Sequence, residues 1–306
     1  MLNMNENKEF THERLTDKLQ GLSEKYSFLK LSYIGKSLLG KPISMITIGD
    51  ESAKKGVMYV STHHAMENIC THLMVKFIEE YAECISNGRY AYGINTRVLH
   101  KMRQIRVVPM LNPDGVEYRL CGVDESNPLR ERLIKYNMGS EDFTHWSANG
   151  RGVDLNHNYD AYFEEYKKLE SDNNLTPGKT KYSGEAPESE NETAALASYI
   201  RFNEDKINGL LTFHTQGEEI FYRSRGKEAP KSSFIASRLS KMTGYALSEA
   251  EGMASYGGLT DWFIKEFNKP SFTLECGRGI NPLDISLAEN IYFKLRETLF
   301  TFPVLV

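Results

Sequence analysis

No apolar run in this 306-residue chain approaches the ~18 residues that a membrane-spanning helix needs, so a helical membrane protein is not expected. Cysteine is scarce. The four residues, Cys70, Cys84, Cys121 and Cys276, form no C-x-x-C pair, which argues against a zinc ribbon or a dithiol redox motif. They read as small buried thiols of a reducing compartment. Positive charge is not in excess: Lys and Arg number 37 against 41 Asp and Glu, a formal net charge of −4. A nucleic-acid partner would need a basic face, so none is expected, nor is a membrane partner. The polar start, Met1 to Lys8, lacks the apolar segment of a secretory signal, and the expectation is a cytoplasmic protein. Internal repeats and low-complexity segments are also missing. What is present is an ordinary globular balance, 40% hydrophobic and 25% charged. The chain reads as one domain over 1–306, with an N-terminal helical segment in 1–30 and no accessory domain.

Periodicity gives a coarse layout. Leu15, Leu19 and Leu22 predict a helix over Thr11 to Tyr26. Strand-like runs follow at Leu31–Ile34, Ile43–Ile48 and Val57–Ser61. A helix carrying Ile69, Leu73, Phe77 and Tyr81 on one face is stopped by Asn87-Gly88. Gln104–Met110 reads as a strand ending in the turn Asn112-Pro113-Asp114-Gly115. The polar stretches from Glu117 to Arg151 and from Asp160 to Pro187 read as functional loops. Ser189 with Glu192 predicts a capping box for a helix reaching Phe202. Gly209–Phe213 and Ser271–Leu274 are strands. Helices are expected around Phe234–Met242, closed by Gly244, and over Ile285–Phe300. Alternating strands and helices predict an α/β sheet covered on both faces, where ligands bind beyond the carboxyl ends of strands.

Four chemically capable side chains fall at or just past predicted strand ends: His64, Glu67, His214 and Glu275. Imidazole and carboxylate groups of this kind bind zinc at about 2.0–2.2 Å, and a catalytic zinc keeps a position for water. His64, Glu67 and His214 would hold one zinc ion per chain, and Glu275 would stand beside its water as general base. Each group also has a plainer reading: His64 with Glu67 as a hydrogen-bonded i,i+3 pair, His214 as a strand-end histidine on a carbonyl, and Glu275 as a loop carboxylate.

Several strings together resemble the zinc carboxypeptidases of the carboxypeptidase A-like (M14) group. They are His64-Ala65-Met66-Glu67, Pro109 to Gly115, Gly152 to Tyr159, His214-Thr215-Gln216-Gly217, Asp261-Trp262 and Phe272 to Glu275. The resemblance runs over roughly residues 30 to 300. It implies a mixed, mainly parallel, twisted eight-stranded sheet sandwiched between helices. It also implies His64, Glu67 and His214 as zinc ligands and Glu275 as the catalytic glutamate.

The departures bear on substrate. His157 stands where the family has an arginine that, with Asn156, grips a peptide's terminal carboxylate. An arginine fork gives two parallel hydrogen bonds to a carboxylate; an imidazole gives at most one or two, aimed differently. Met66 replaces another family arginine. Ser147 occupies the nearest equivalent of the carbonyl-polarising arginine, with Arg151 as the candidate substitute. The family's mobile tyrosine aligns nearest Met253, with Tyr256 three residues on. The strings His214 to Ile220, Asp154 to Asn158 and Glu275 to Leu283 are similar to bacterial peptidases that cut γ-D-glutamyl-meso-diaminopimelate bonds. The expected partner is therefore a small, muropeptide-like peptide. Asp261 or Glu218 is expected to accept from its ammonium, and Arg278 to bind a carboxylate. The rival readings are a general metallocarboxypeptidase, a cytosolic deglutamylase and a non-catalytic peptide-binding module.

Overall fold

A computed structural model describes residues 9–306. The reading of the polar start, Met1 to Lys8, lies outside the described residues. Helix α1 (His12–Lys25) begins one residue later than the pattern suggests, because Thr11 is its cap: the Thr11 hydroxyl accepts from the Arg14 amide at 3.2 Å. Strands β1 (Leu29–Lys36), β2 (Pro42–Ile48) and β3 (Lys55–Ser61) follow. A single 3-10 turn at Ala65–Glu67 precedes α2 (Ile69–Ser86). Next come the small hairpin β4 (Tyr90–Ala91) and β5 (Ile94–Asn95), helix α3 (Thr96–Met102) and strand β6 (Arg103–Val108).

The two polar stretches are not plain loops. α4 (Pro113–Cys121) starts ahead of the first stretch, where the expected turn Asn112 to Gly115 is instead a helix start capped by Asn112, and runs into it; α5 (Arg130–Tyr136) and α6 (Phe163–Asp172) lie within the stretches. Each helix is short and buries few apolar side chains, Leu133 alone in α5, so no apolar stripe announces it. The chain ends with α7 (Asn191–Phe202), β7 (Gly209–His214), β8 (Glu219–Phe221), α8 (Ser232–Thr243) and β9 (Ala246–Ser248), and then α9 (Leu259–Phe267), β10 (Ser271–Glu275) and α10 (Ala288–Leu305). The capping box expected at α7 does not form. Glu190 is the cap residue, Ser189 donates to Glu190 at 2.8 Å, and Glu192 turns away to Asn149.

One sheet of eight strands runs in the order β1-β2-β6-β3-β7-β10-β8-β9. Four of its seven neighbouring pairs are parallel: β6 with β3, β3 with β7, β7 with β10, and β8 with β9. Successive residues of the central strands feed different cores. Val57 and Tyr59 join α2, α8 and α10 on one face, while Met58 and Val60 join α7 and Trp262 of α9 on the other. Each fully buried side chain of this size contributes roughly 1.5–3 kcal/mol. From β3 the chain passes to β6 on one side and later to β7 on the other. The β3/β7 boundary is therefore the switch point, where a crevice opens beyond the strand ends.

Candidate active site

Three strand ends meet at that crevice. Ser61 pairs with Phe213, and His214 pairs with Glu275, so β3, β7 and β10 finish side by side. After β3 the backbone turns through Thr62 at φ 59°. Asn112 fixes this turn. Its side-chain amide donates to the carbonyls of His63 (2.9 Å), Ser147 (3.2 Å) and Ala148 (3.0 Å), and its oxygen accepts from the Gly115 amide (3.0 Å). His64 then leads into the 3-10 turn. Three residues per turn stack positions i and i+3, which brings Glu67 under His64.

The result is a tight group. His64 Nδ1 lies 3.0 Å from one Glu67 carboxylate oxygen, and His214 Nδ1 lies 2.9 Å from the other. The two Nδ1 atoms are 3.2 Å apart. One ligand atom from each of the three residues lies within 4.8 Å of the others. Glu67 and His214 are buried, and His64 is partly exposed.

The donor set fits a metal ion. Asp154 Oδ1 sits 3.0 Å from His64 Nε2, and an ionised carboxylate can only accept there. That bond holds the His64 ring through Nε2–H and turns Nδ1 toward Glu67 and His214, where a metal ion would take the place of its proton. Two imidazole nitrogens and a carboxylate converging on one point are the groups zinc takes as ligands. Burial disfavours the charged form of His64, but the Glu67 and Asp154 carboxylates outweigh it and raise its pKa well above the usual value. Burial likewise works against the Asp154 carboxylate, yet His64 and His157 hold it far below the carboxylate range. Glu67 is lowered: burial opposes its charge, and His64 and His214 override that. The group is therefore a knot of opposite charges that a divalent cation can replace.

Glu275 stands beside this group at the end of β10. Burial and the Glu67 carboxylate push its pKa up, while His64 works the other way. His63, the residue before His64, stacks on the His214 ring at 5.3 Å between centroids and bonds the Tyr159 hydroxyl at 2.9 Å.

The wall that carries Asn156 and His157 adjoins the metal group through Asp154, which accepts from the Asn156 amide at 3.2 Å. Asn156 Oδ1 accepts from the Leu259 amide at 3.2 Å. His157 Nδ1 lies 2.7 Å from the Tyr256 carbonyl, which only accepts, so Nδ1 carries the proton. Burial lowers the His157 pKa, although Asp154 and the Tyr256 carbonyl oppose the shift. The ring stacks on Tyr166 at 4.3 Å. Asp261 is buried in the first turn of α9, and that burial pushes its pKa up to about 6. Ser224 lies beside it and works against that shift.

Arg151 and Arg278 are engaged elsewhere. Arg151 donates to both Glu190 oxygens, at 3.0 and 2.8 Å, and to the Ser189 carbonyl at 2.9 Å. Arg278 pairs with Glu218 at 3.0 Å, and Lys294 shares that carboxylate. Asp154 has no role legible in the sequence beyond its place in the Asp154 to Asn158 string, and its spacing from Asn156 is the one available signal. His63 gives no sequence signal, because a histidine next to His64 carries no pattern of its own.

The family model for zinc carboxypeptidases (peptidase M14) matches residues 15–291. The chain is 34% identical over 290 residues to the gamma-D-glutamyl-L-diamino acid endopeptidase 1 of Lysinibacillus sphaericus, covering 94% of this chain and 71% of the relative. Among solved structures, thrombin-activatable fibrinolysis inhibitor matches with TM-score 0.74 and 19% identity, covering 97% of this chain and 77% of that one. Carboxypeptidase A of Helicoverpa armigera matches with TM-score 0.73 and 17% identity, over 96% and 73%. The eight-stranded sheet, the His/Glu/His donor group at its switch point and these matches agree: the chain belongs to the zinc carboxypeptidase family.

Proposed function

We propose that this metallopeptidase hydrolyses the amide between γ-D-glutamate and meso-diaminopimelate in small cell-wall peptides. The observation that carries the reading is His157. Its Nδ1–H is committed to the Tyr256 carbonyl, so the exposed end of the ring is an acceptor. An ordinary carboxypeptidase needs a charged fork there for a terminal carboxylate. A wall of acceptors, His157 Nε2 and the Asp261 carboxylate, instead suits the ammonium of a diamino acid. The relative from Lysinibacillus sphaericus, named for a diamino-acid bond, supports the same substrate.

His64, Glu67 and His214 would hold the zinc, which supplies Lewis acidity to the scissile carbonyl and to water. The other roles belong to the chain's own groups. Glu275 takes a proton from the attacking water and passes it to the leaving amine. Asp154 holds the His64 ring in its ligating tautomer. Asn156 and Tyr256 line the substrate wall, and Arg278 stays at the mouth, where its side chain is 75% exposed. Arg151 drops out of the catalytic set in this reading, because its fork is spent on Glu190. A cytoplasmic site of action is supported by four cysteines that are all free.

The test is digestion of L-Ala-γ-D-Glu-meso-diaminopimelate beside plain L-peptides, with products identified by mass spectrometry. Release of diaminopimelate is expected. Cleavage of the plain peptides alone would overturn the substrate assignment.

A further inference from the structure

The His157–Tyr256 wall continues onto a tight turn. The Ser224 amide donates to the Lys227 carbonyl at 2.8 Å, and the Lys227 amide returns to Ser224 at 3.0 Å. The two residues between them have positive φ, 50° at Arg225 and 76° at Gly226. Few side chains adopt that region, and the paired hydrogen bonds hold it, so the direction in which Arg225 leaves the backbone is fixed. Ser224, the preceding residue, is buried and lies beside Asp261.

The Arg225 guanidinium lies between two aromatic rings, 4.9 Å from the centre of Tyr162 and 4.9 Å from that of Tyr256. Its carboxylate neighbour, Glu165, is 4.0 Å away, beyond hydrogen-bond length. Other cations of this region are satisfied. Arg223 pairs with Glu228 at 3.1 Å, Lys265 pairs with Asp160 at 3.2 Å, and Arg278 and Arg151 have the partners given above. Arg225 makes no hydrogen bond to another described residue. The rings orient its plane and leave its donors open.

An open, oriented fork beside a wall of acceptors is a site for a zwitterion. We propose that Arg225 binds the carboxylate at the far end of the departing diamino acid, while His157 and Asp261 face the ammonium on the same carbon. The proposal rests on the diaminopimelate reading above and names the residue that selects its far end. L-lysine has the same chain and terminal ammonium but no second carboxylate, so Arg225 is what would separate the two. A bidentate guanidinium–carboxylate pair commonly contributes a factor of about 10–100 in affinity.

The measurement is binding of free meso-diaminopimelate and of L-lysine to the purified metalloprotein by titration calorimetry, for wild type, Arg225→Met and Arg225→Lys. The wild type should favour diaminopimelate. Arg225→Met should cut that preference about 10–100-fold, and Arg225→Lys, with charge but no fork, should restore part of it. Circular dichroism confirms that each variant is folded. A wild type with no preference, or a preference unchanged in Arg225→Met, would overturn the role of Arg225. Because product binding is read without turnover, failure of the cleavage assay above is a separate result.

Discussion

The parts proposed for His64, Glu67, His214 and Glu275 differ, and substitution separates them. Glu275→Gln removes a proton acceptor and no ligand. It should keep one zinc per chain while turnover falls about 10²–10⁴-fold, measured by metal analysis and steady-state kinetics on one preparation. Near-normal turnover would remove Glu275 from the chemistry. His214→Ala should lose the metal itself. Asp154→Ala touches no ligand atom, yet it releases the His64 ring, and zinc affinity should drop about 10–100-fold. Competition with a chromogenic chelator measures this; unchanged affinity would mean that Asp154 does not orient the ligand. Strand-end placement made His64, His214 and Glu275 legible in the sequence. His157 was legible as a departure that bears on substrate, but its acceptor face and the roles of Asp154 and Arg225 were not, because they depend on which atom faces which across the fold.

The same division holds for the elements. The central strands and α2 were readable because they bury continuous or periodic apolar runs. Helices α4, α5 and α6 were not, because short helices held by polar contacts carry no such signal. The failed capping box at α7 shows what replaced a local rule. Glu192 is buried, and its carboxylate accepts from the Leu38 amide and Asn149 instead. Burial, with Asp114 and Glu190 nearby, pushes the Glu192 pKa up to about 7. A carboxyl raised in the folded state binds its proton more tightly there than in the unfolded chain. Its contribution is therefore full below about pH 4.5 and is lost as pH rises toward 7. Glu192→Gln should stabilise the protein by about 1–3 kcal/mol at pH 8 and by little at pH 4.5, read from denaturant melts. Equal effects at both pH values would contradict this account. The loop before α9 has a steric constraint: at Gly257, φ 73°, a Cβ would lie 2.5 Å from the His157 carbonyl oxygen. Gly257→Ala should cost more than about 1 kcal/mol and raise KM, since it pushes Tyr256 off the His157 wall.

The whole chain is a sheet whose switch point gathers donors from residues 64, 67 and 214, so metal binding and folding are linked. Zinc at 100 times its Kd should stabilise the protein by about 2.7 kcal/mol over the chelated form. Thermal melts with and without chelator should show the difference. The sheet order could not be read from the sequence, because pairing across some 150 residues leaves no local trace; the resemblance implied eight strands in a mixed sheet, and the structure supplies their order. The most direct measurement is anomalous diffraction at the zinc edge from crystals of the purified protein. The account predicts one peak at about 2.0–2.2 Å from His64 Nδ1, a Glu67 oxygen and His214 Nδ1. A peak elsewhere, or none in zinc-replete crystals, would contradict it.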